Sequence, residues 1–142
     1  VYELSLLDKL TDSEGNLIED YSPAVSSAID IQDSTWNAVH AGMRQVIAEG
    51  SAKNIFADLP VEIAGKTGTA EETGRTNHAF FMSFAPYASP EIAVTVNIPY
   101  GYSSGNAATL AKNIYKYYYG YTTLDEIMGV GALDATTVEI QD

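Results

Sequence analysis

Cysteine is absent from this 142-residue chain, which excludes a disulfide framework and any thiolate metal site. Histidine is scarce. His40 and His78 stand far apart in unlike contexts, so a histidine-based metal site is not expected and no cofactor is implied. Positive charge is short as well: seven Lys and Arg face nineteen Asp and Glu, for a formal net charge of −12. That balance is the reverse of the basic footprint that nucleic acid calls for, and it disfavours docking on anionic lipid. The acid crowds the first segment, where Glu3, Asp8, Asp12, Glu14, Glu19, Asp20, Asp30 and Asp33 are opposed only by Lys9, and no basic residue follows Lys116. No apolar run approaches the length of a membrane span and no signal-peptide pattern is present. This segment is therefore expected to make no membrane contact, and any anchor of an exported parent is expected outside it.

What remains is enough for a core. Hydrophobic residues make up 46% and aromatics 11%, which suits one packed domain or part of one. Residues 1–22 read as a hairpin, with strands at 2–10 and 17–21 around the polar turn Thr11-Asp12-Ser13-Glu14-Gly15-Asn16. Ser34 is placed as an N-cap, and Trp36, Val39, His40, Met43, Val46 and Ile47 recur at helical spacing until Gly50, predicting a helix over 34–50. On that stripe His40 reads as a core-edge histidine. Residues 51–60 read as a loop.

Three strands follow, at 61–70, 79–85 and 92–98. The middle one is apolar on both faces, as a central strand must be. The links at 71–78 and 86–91 are too short for a helical crossover, which predicts an antiparallel meander. Residues 106–119 then read as a helix with Ala107, Leu110, Ala111, Ile114 and Tyr118 on one face. Its tyrosine-rich end reads as packing rather than a binding platform. Residues 121–142 are acidic without clear period and read as a tail. The fold class expected is α+β, an antiparallel sheet packed against helices near 34–50 and 106–119.

The most informative stretch is Ala64-Gly65-Lys66-Thr67-Gly68-Thr69-Ala70. Gly65-Lys66-Thr67 resembles the end of a phosphate-binding P-loop, but that motif needs a glycine at position 60, where this chain has Pro60. The intervening Val61, Glu62, Ile63 and Ala64 are strand-like, and Glu62 would repel phosphate. Read as a strand, Thr67 and Thr69 share one face while Lys66 leaves on the other and adds a positive charge. Gly68 lets a ligand backbone come close to the strand. Two hydroxyls, an ammonium and bare strand N–H groups suit an extended peptide ending in a carboxylate.

Lys-Thr-Gly stands beside Ser-x-x-Lys and Ser-Asp-Asn among the motifs of penicillin-binding proteins and class A β-lactamases. With Gly42-Met43, Glu49-Gly50-Ser51-Ala52, the run His78 to Pro86 and Pro90-Glu91-Ile92-Ala93-Val94 in order around it, the chain resembles the C-terminal part of a class B penicillin-binding protein transpeptidase domain. The resemblance covers about residues 1–120, leaving 121–142 as an acidic tail. It implies a serine acyltransferase that cross-links peptidoglycan stem peptides, is acylated by β-lactam antibiotics and works at the extracytoplasmic face of the bacterial membrane through an anchor elsewhere in the parent. It implies catalytic roles for Lys66 and Thr69: Lys66 as electrostatic control of the site, the Thr69 N–H as one oxyanion donor, a kind of contact worth about 3 kcal/mol of barrier. Lys66, Thr67, Gly68 and Thr69 would bind substrate, the two threonines holding its carboxylate.

Two parts are missing. No Ser has Lys three residues later, and nothing before Lys66 fits Ser-x-Asn. Ser104-Gly105-Asn106 comes after the strand and reads as a loop and helix cap. Glu71 stands where the family often has Gln. Half of an active site is thus expected, the nucleophile and its base belonging to an N-terminal half of the domain, with a non-catalytic binding module of the same fold as the alternative.

Overall fold

The structure, a computed structural model, describes residues 1–129 with the exception of Leu4. Most of the acidic stretch expected at 121–142 therefore lies outside the described residues. Contacts divide the chain into two units, Val1–Trp36 and Asn37–Asp142.

In the first unit, β1 (Lys9–Thr11) and β2 (Leu17–Asp20) form the expected hairpin, with Leu10 opposite Glu19. Asp12 makes the turn: its carboxylate accepts from the backbone N–H of Glu14 and Asn16, both at 2.9 Å, and Gly15 supplies a φ of +88°. The first strand is much shorter than residues 2–10. Leu6, Leu7, Leu10 and Leu17 are all exposed, and a two-stranded ribbon without a buried face has little to hold a longer ladder.

Helix α1 (Asp33–Ala48) starts in the first unit and runs into the second. Ser34 lies inside its first turn, not at the cap, because the Gln32 carbonyl already accepts from Thr35 N–H at 2.9 Å. Only Ile47 of the predicted stripe is fully buried. A short helix, α2 (Lys53–Phe56), occupies the stretch expected to be loop, and it delivers Phe56 to the core, where the ring stacks on Phe81 at 5.5 Å.

The sheet is the expected meander. β3 (Ala64–Ala70), β4 (His78–Ala85) and β5 (Ile92–Ile98) pair antiparallel in that order with β4 central. Register sorts the side chains into two faces. Rows Gly65–Ser83–Val94 and Thr67–Phe81–Val96 turn toward helix α3 (Ser104–Tyr118), which covers this face. The opposite face carries Lys66–Met82–Thr95 and Gly68–Phe80–Asn97.

α3 buries Ala107, Ala108, Ala111 and Tyr115, while Leu110, Ile114 and Tyr118, expected inward, are exposed. The alanines bring the helix close to the strands, and Tyr115 reaches through to a polar partner in the core. Asp58, following α2, accepts from Lys112 at 2.5 Å and Lys116 at 2.8 Å and so ties α2 to α3. A further helix, α4 (Leu124–Met128), forms within the stretch read as a tail. Thr123 and Glu126 close a capping box there, two polar groups replacing the missing apolar period.

Candidate active site

Among the described residues β3 pairs only with β4, so its other edge offers unpaired backbone groups to an extended ligand. The strand is held from below. Gly65 is buried, and a β-carbon there would stand 2.7 Å from the Phe81 ring. At Gly68 a β-carbon would come within 3.3 Å of Phe80.

Alternation along β3 places Thr67 and Thr69 on the α3 side, in rows with Phe81 and Ala79, and Lys66 on the opposite side with Met82. Thr67 is half-buried; Lys66 and Thr69 are exposed. The Lys66 ammonium folds back and donates to its neighbour's carbonyl, Thr67 O, at 2.7 Å. Among the described residues no carboxylate stands within ion-pair distance of Lys66. Glu71 does not neutralise it. A third hydroxyl, not read from the sequence as a site group, joins the strand: Ser51 Oγ lies 3.4 Å from Thr67 Oγ1. The chain turns after α1 at Gly50, whose N–H donates to Gln45 O at 2.8 Å, and that turn carries Ser51 to the strand.

Beyond Thr69 the β3–β4 loop (71–77) and the β5–α3 loop (99–103) flank a cleft of about 820 Å³, lined by Gly74, Arg75, Thr76, Asn77, Tyr102 and Ser103. Arg75 Nη1 donates to the Tyr100 hydroxyl at 2.6 Å and pairs with Glu72 at 3.3 Å. Sequence reasoning missed this wall, although a glycine flanked by Tyr100 and Tyr102 was a signal of tight backbone. Ser103, rather than Ser104, caps α3, its Oγ accepting from Gly105 N–H, while Asn106 donates to Gly101 O at 2.8 Å. Ser104-Gly105-Asn106 is thus a helix start.

No group of three or more potential metal ligands occurs among the described residues, and none of their helices is long and apolar enough to cross a membrane. The arrangement offers an ammonium, three hydroxyls and a free strand edge. That set can hold a peptide and its carboxylate, but with no Ser-x-x-Lys it carries no activated nucleophile of that type.

The model of the family described as penicillin binding protein transpeptidase domain matches residues 1–116. The chain is 34% identical over 125 residues to the peptidoglycan D,D-transpeptidase MrdA of Haemophilus influenzae, covering 74% of this chain and 19% of that protein. It is 31% identical over 102 residues to penicillin-binding protein 2A of Bacillus subtilis, covering 65% of this chain and 14% of that one. Among solved structures, Pseudomonas aeruginosa PBP2 in complex with WCK 5153 superposes with a TM-score of 0.62 at 36% identity, over 89% of this chain and 27% of that one. Penicillin-binding protein 2B of Streptococcus pneumoniae gives 0.63 at 28%, over 78% and 20%. The chain therefore spans a fifth or less of these two curated relatives. Matched along most of its length by that family model, and sharing its fold with these solved structures, the chain belongs to the penicillin-binding protein transpeptidase domain family, in its class B branch.

Proposed function

We propose that this chain supplies the Lys-Thr-Gly wall of a peptidoglycan D,D-transpeptidase and is not active alone. The observation that carries the reading is the placement of Lys66, Thr67, Gly68 and Thr69 on a free sheet edge, in a chain without Ser-x-x-Lys. In this reading residues 1–120 are the C-terminal part of the transpeptidase domain and 121–142 an acidic extension. The acyl-accepting Ser and its Lys base lie in an N-terminal half of the domain. The ligand is the carboxylate end of a stem peptide or the matching carboxylate of a β-lactam. Lys66 supplies the positive charge, Thr67 and Thr69 hydrogen-bond the carboxylate, and the Thr69 N–H meets the developing oxyanion. The site of action is the extracytoplasmic face of the bacterial membrane, reached through an anchor outside this segment.

Intact-mass spectrometry after incubation with penicillin tests this. The chain alone is expected to gain no drug mass, and a segment bearing Ser-x-x-Lys, added or fused before Val1, is expected to restore acylation at that Ser. An adduct on any serine of residues 1–142 would show the nucleophile to be misassigned. Failure of every complemented form to acylate would favour the non-catalytic binding module, for which the missing nucleophile is the supporting observation.

A further inference from the structure

The loop after β5 holds two tyrosines at positive φ, Tyr100 at 55° and Tyr102 at 68°. Bulky L-residues avoid this region, so surrounding contacts must hold them there. Gly101 between them is packed tightly: a β-carbon would stand 2.8 Å from the β-carbons of both Ala79 and Ile98. Ala79 is the partner of Thr69 in the sheet, so the loop rests on the row that carries Thr69.

His78 stands opposite Ala70, one pair beyond that row. The Tyr100 N–H donates to His78 Nδ1 at 3.3 Å, so Nδ1 bears no hydrogen. The hydrogen is then on Nε2, which donates to Glu72 at 3.2 Å. The imidazole and phenol rings also pack with centroids 4.9 Å apart. Arg75 completes the clamp, bonding the Tyr100 hydroxyl while paired with Glu72. The charged and titratable groups facing His78 are thus Glu72 and Arg75 from the β3–β4 loop and Tyr100 from the β5–α3 loop.

We propose that neutral His78 is a positioning residue, holding Tyr100–Tyr102 as the far wall of the cleft beyond Thr69, and that protonation of His78 releases this wall. An imidazolium carries hydrogen on both nitrogens and has no lone pair left for the Tyr100 N–H. The Glu72 contact survives protonation; the Tyr100 contact does not. The positive φ at Tyr100 then loses the hydrogen bond that opposes its relaxation. The latch stands on these contacts, and its effect on ligand binding rests on the transpeptidase reading.

NMR of the protein, followed as pH is lowered until the His78 ring signals report the imidazolium, reads the latch directly. Positive φ at Tyr100 gives a strong intraresidue amide–Hα cross-peak, which is expected to weaken with the same midpoint as the His78 ring titration. In His78→Leu it should be weak at every pH. In His78→Asn, whose Oδ1 stands in for Nδ1 but does not titrate, it should stay strong throughout. A cross-peak unchanged through the His78 titration, or equally strong in His78→Leu, would overturn the proposal. Amide signals of Ala79 and Phe81 show whether each variant keeps its core.

In the longer transpeptidase, His78→Leu should weaken non-covalent penicillin binding at least about fivefold at pH 8, the lower end of couplings between sites, with the acylation step itself unchanged. His78→Asn should restore it. Equal binding in all three would remove the functional role, whereas an unmodified protein that never acylates would refute the transpeptidase reading and leave the NMR outcome to decide the latch.

Discussion

Gly65 and Phe81 pack without room for a side chain between them: the ring of Phe81 stands 2.7 Å from the place a β-carbon on Gly65 would take. The residue immediately before Lys66 is therefore part of the core packing, against a buried phenylalanine. Gly65→Ala should push Phe81 or the strand aside. Overpacking of this kind costs about 1–3 kcal/mol, against which alanine's smaller unfolded-state entropy returns only about 0.4–1 kcal/mol. Urea denaturation should show a net loss of stability, and an unchanged midpoint would mean that Phe81 yields freely.

The core also contains one polar link. Tyr115 donates to Ser83 Oγ at 2.9 Å, and Ser83 donates onward to Val94 O at 3.3 Å, joining α3 to β4 and β5. Burial pushes the Tyr115 phenol up, so it remains a neutral donor. The two ends should respond unequally. Tyr115→Phe leaves Ser83 its bond to Val94 and should cost only about 0.5–1.5 kcal/mol, whereas Ser83→Ala leaves a buried phenol without a partner and should cost about 1–3 kcal/mol. Equal losses in denaturation would contradict this ordering.

Much of this fold is legible in the chain, for identifiable reasons. β4 and β5 alternate cleanly between short turn-rich links, so their limits fall within a residue of expectation. β3 starts three residues late because Val61, Glu62 and Ile63 belong to no ladder; the Glu62 carbonyl accepts instead from Tyr87 N–H at 2.8 Å. The expected face of α3 holds at Ala107 and Ala111, but the buried face turns from there toward Ala108 and Tyr115 and leaves Leu110, Ile114 and Tyr118 outside, because close packing against a sheet prefers alanine. Within the site, Lys66 to Thr69 are contiguous and could be read as a motif. The wall beyond them is assembled from Glu72, Arg75, His78, Tyr100 and Tyr102, two loops apart in the chain, and only the strand register brings them together.

The Asp58 link should appear in the pH dependence of stability. Hydrogen bonds from Lys112, then Lys116, hold the Asp58 carboxyl well below its ordinary value near 3.8. A lowered folded-state value means stability fully present above the unfolded value and lost as pH falls through the folded one. Asp58→Asn should therefore be most destabilising near pH 7, and its difference from the unmodified protein should shrink only in strong acid. Because the carboxylate is exposed, added salt should narrow the difference too. Denaturant midpoints measured at neutral and strongly acidic pH decide this, and a gap independent of pH would assign the effect to packing.

Lys66 gives the sharpest test of the site itself. Its ammonium donates to the Thr67 carbonyl, and among the described residues no carboxylate neutralises it, so the charge is available to an incoming anion. A hydrogen bond to a charged acceptor is worth about 1.5–3 kcal/mol, and about 1.4 kcal/mol is one decade in rate. If the proposed function holds, in a protein that joins this chain to a segment bearing Ser-x-x-Lys, Lys66→Ala should slow the second-order rate of acylation by penicillin at least about tenfold. Folding should be little affected, because the side chain is exposed on the face away from α3 and contributes nothing to the buried core. The competing account makes Lys66 a local clip on the Thr67 carbonyl, which would move the melting temperature and leave the rate alone. Lys66→Arg separates charge from geometry: a guanidinium keeps the charge but not the compact donor, so an intermediate rate would assign the missing part to placement. A tenfold slower alanine variant with an unchanged melting temperature supports the carboxylate-binding role, and an unchanged rate would remove Lys66 from the catalytic machinery.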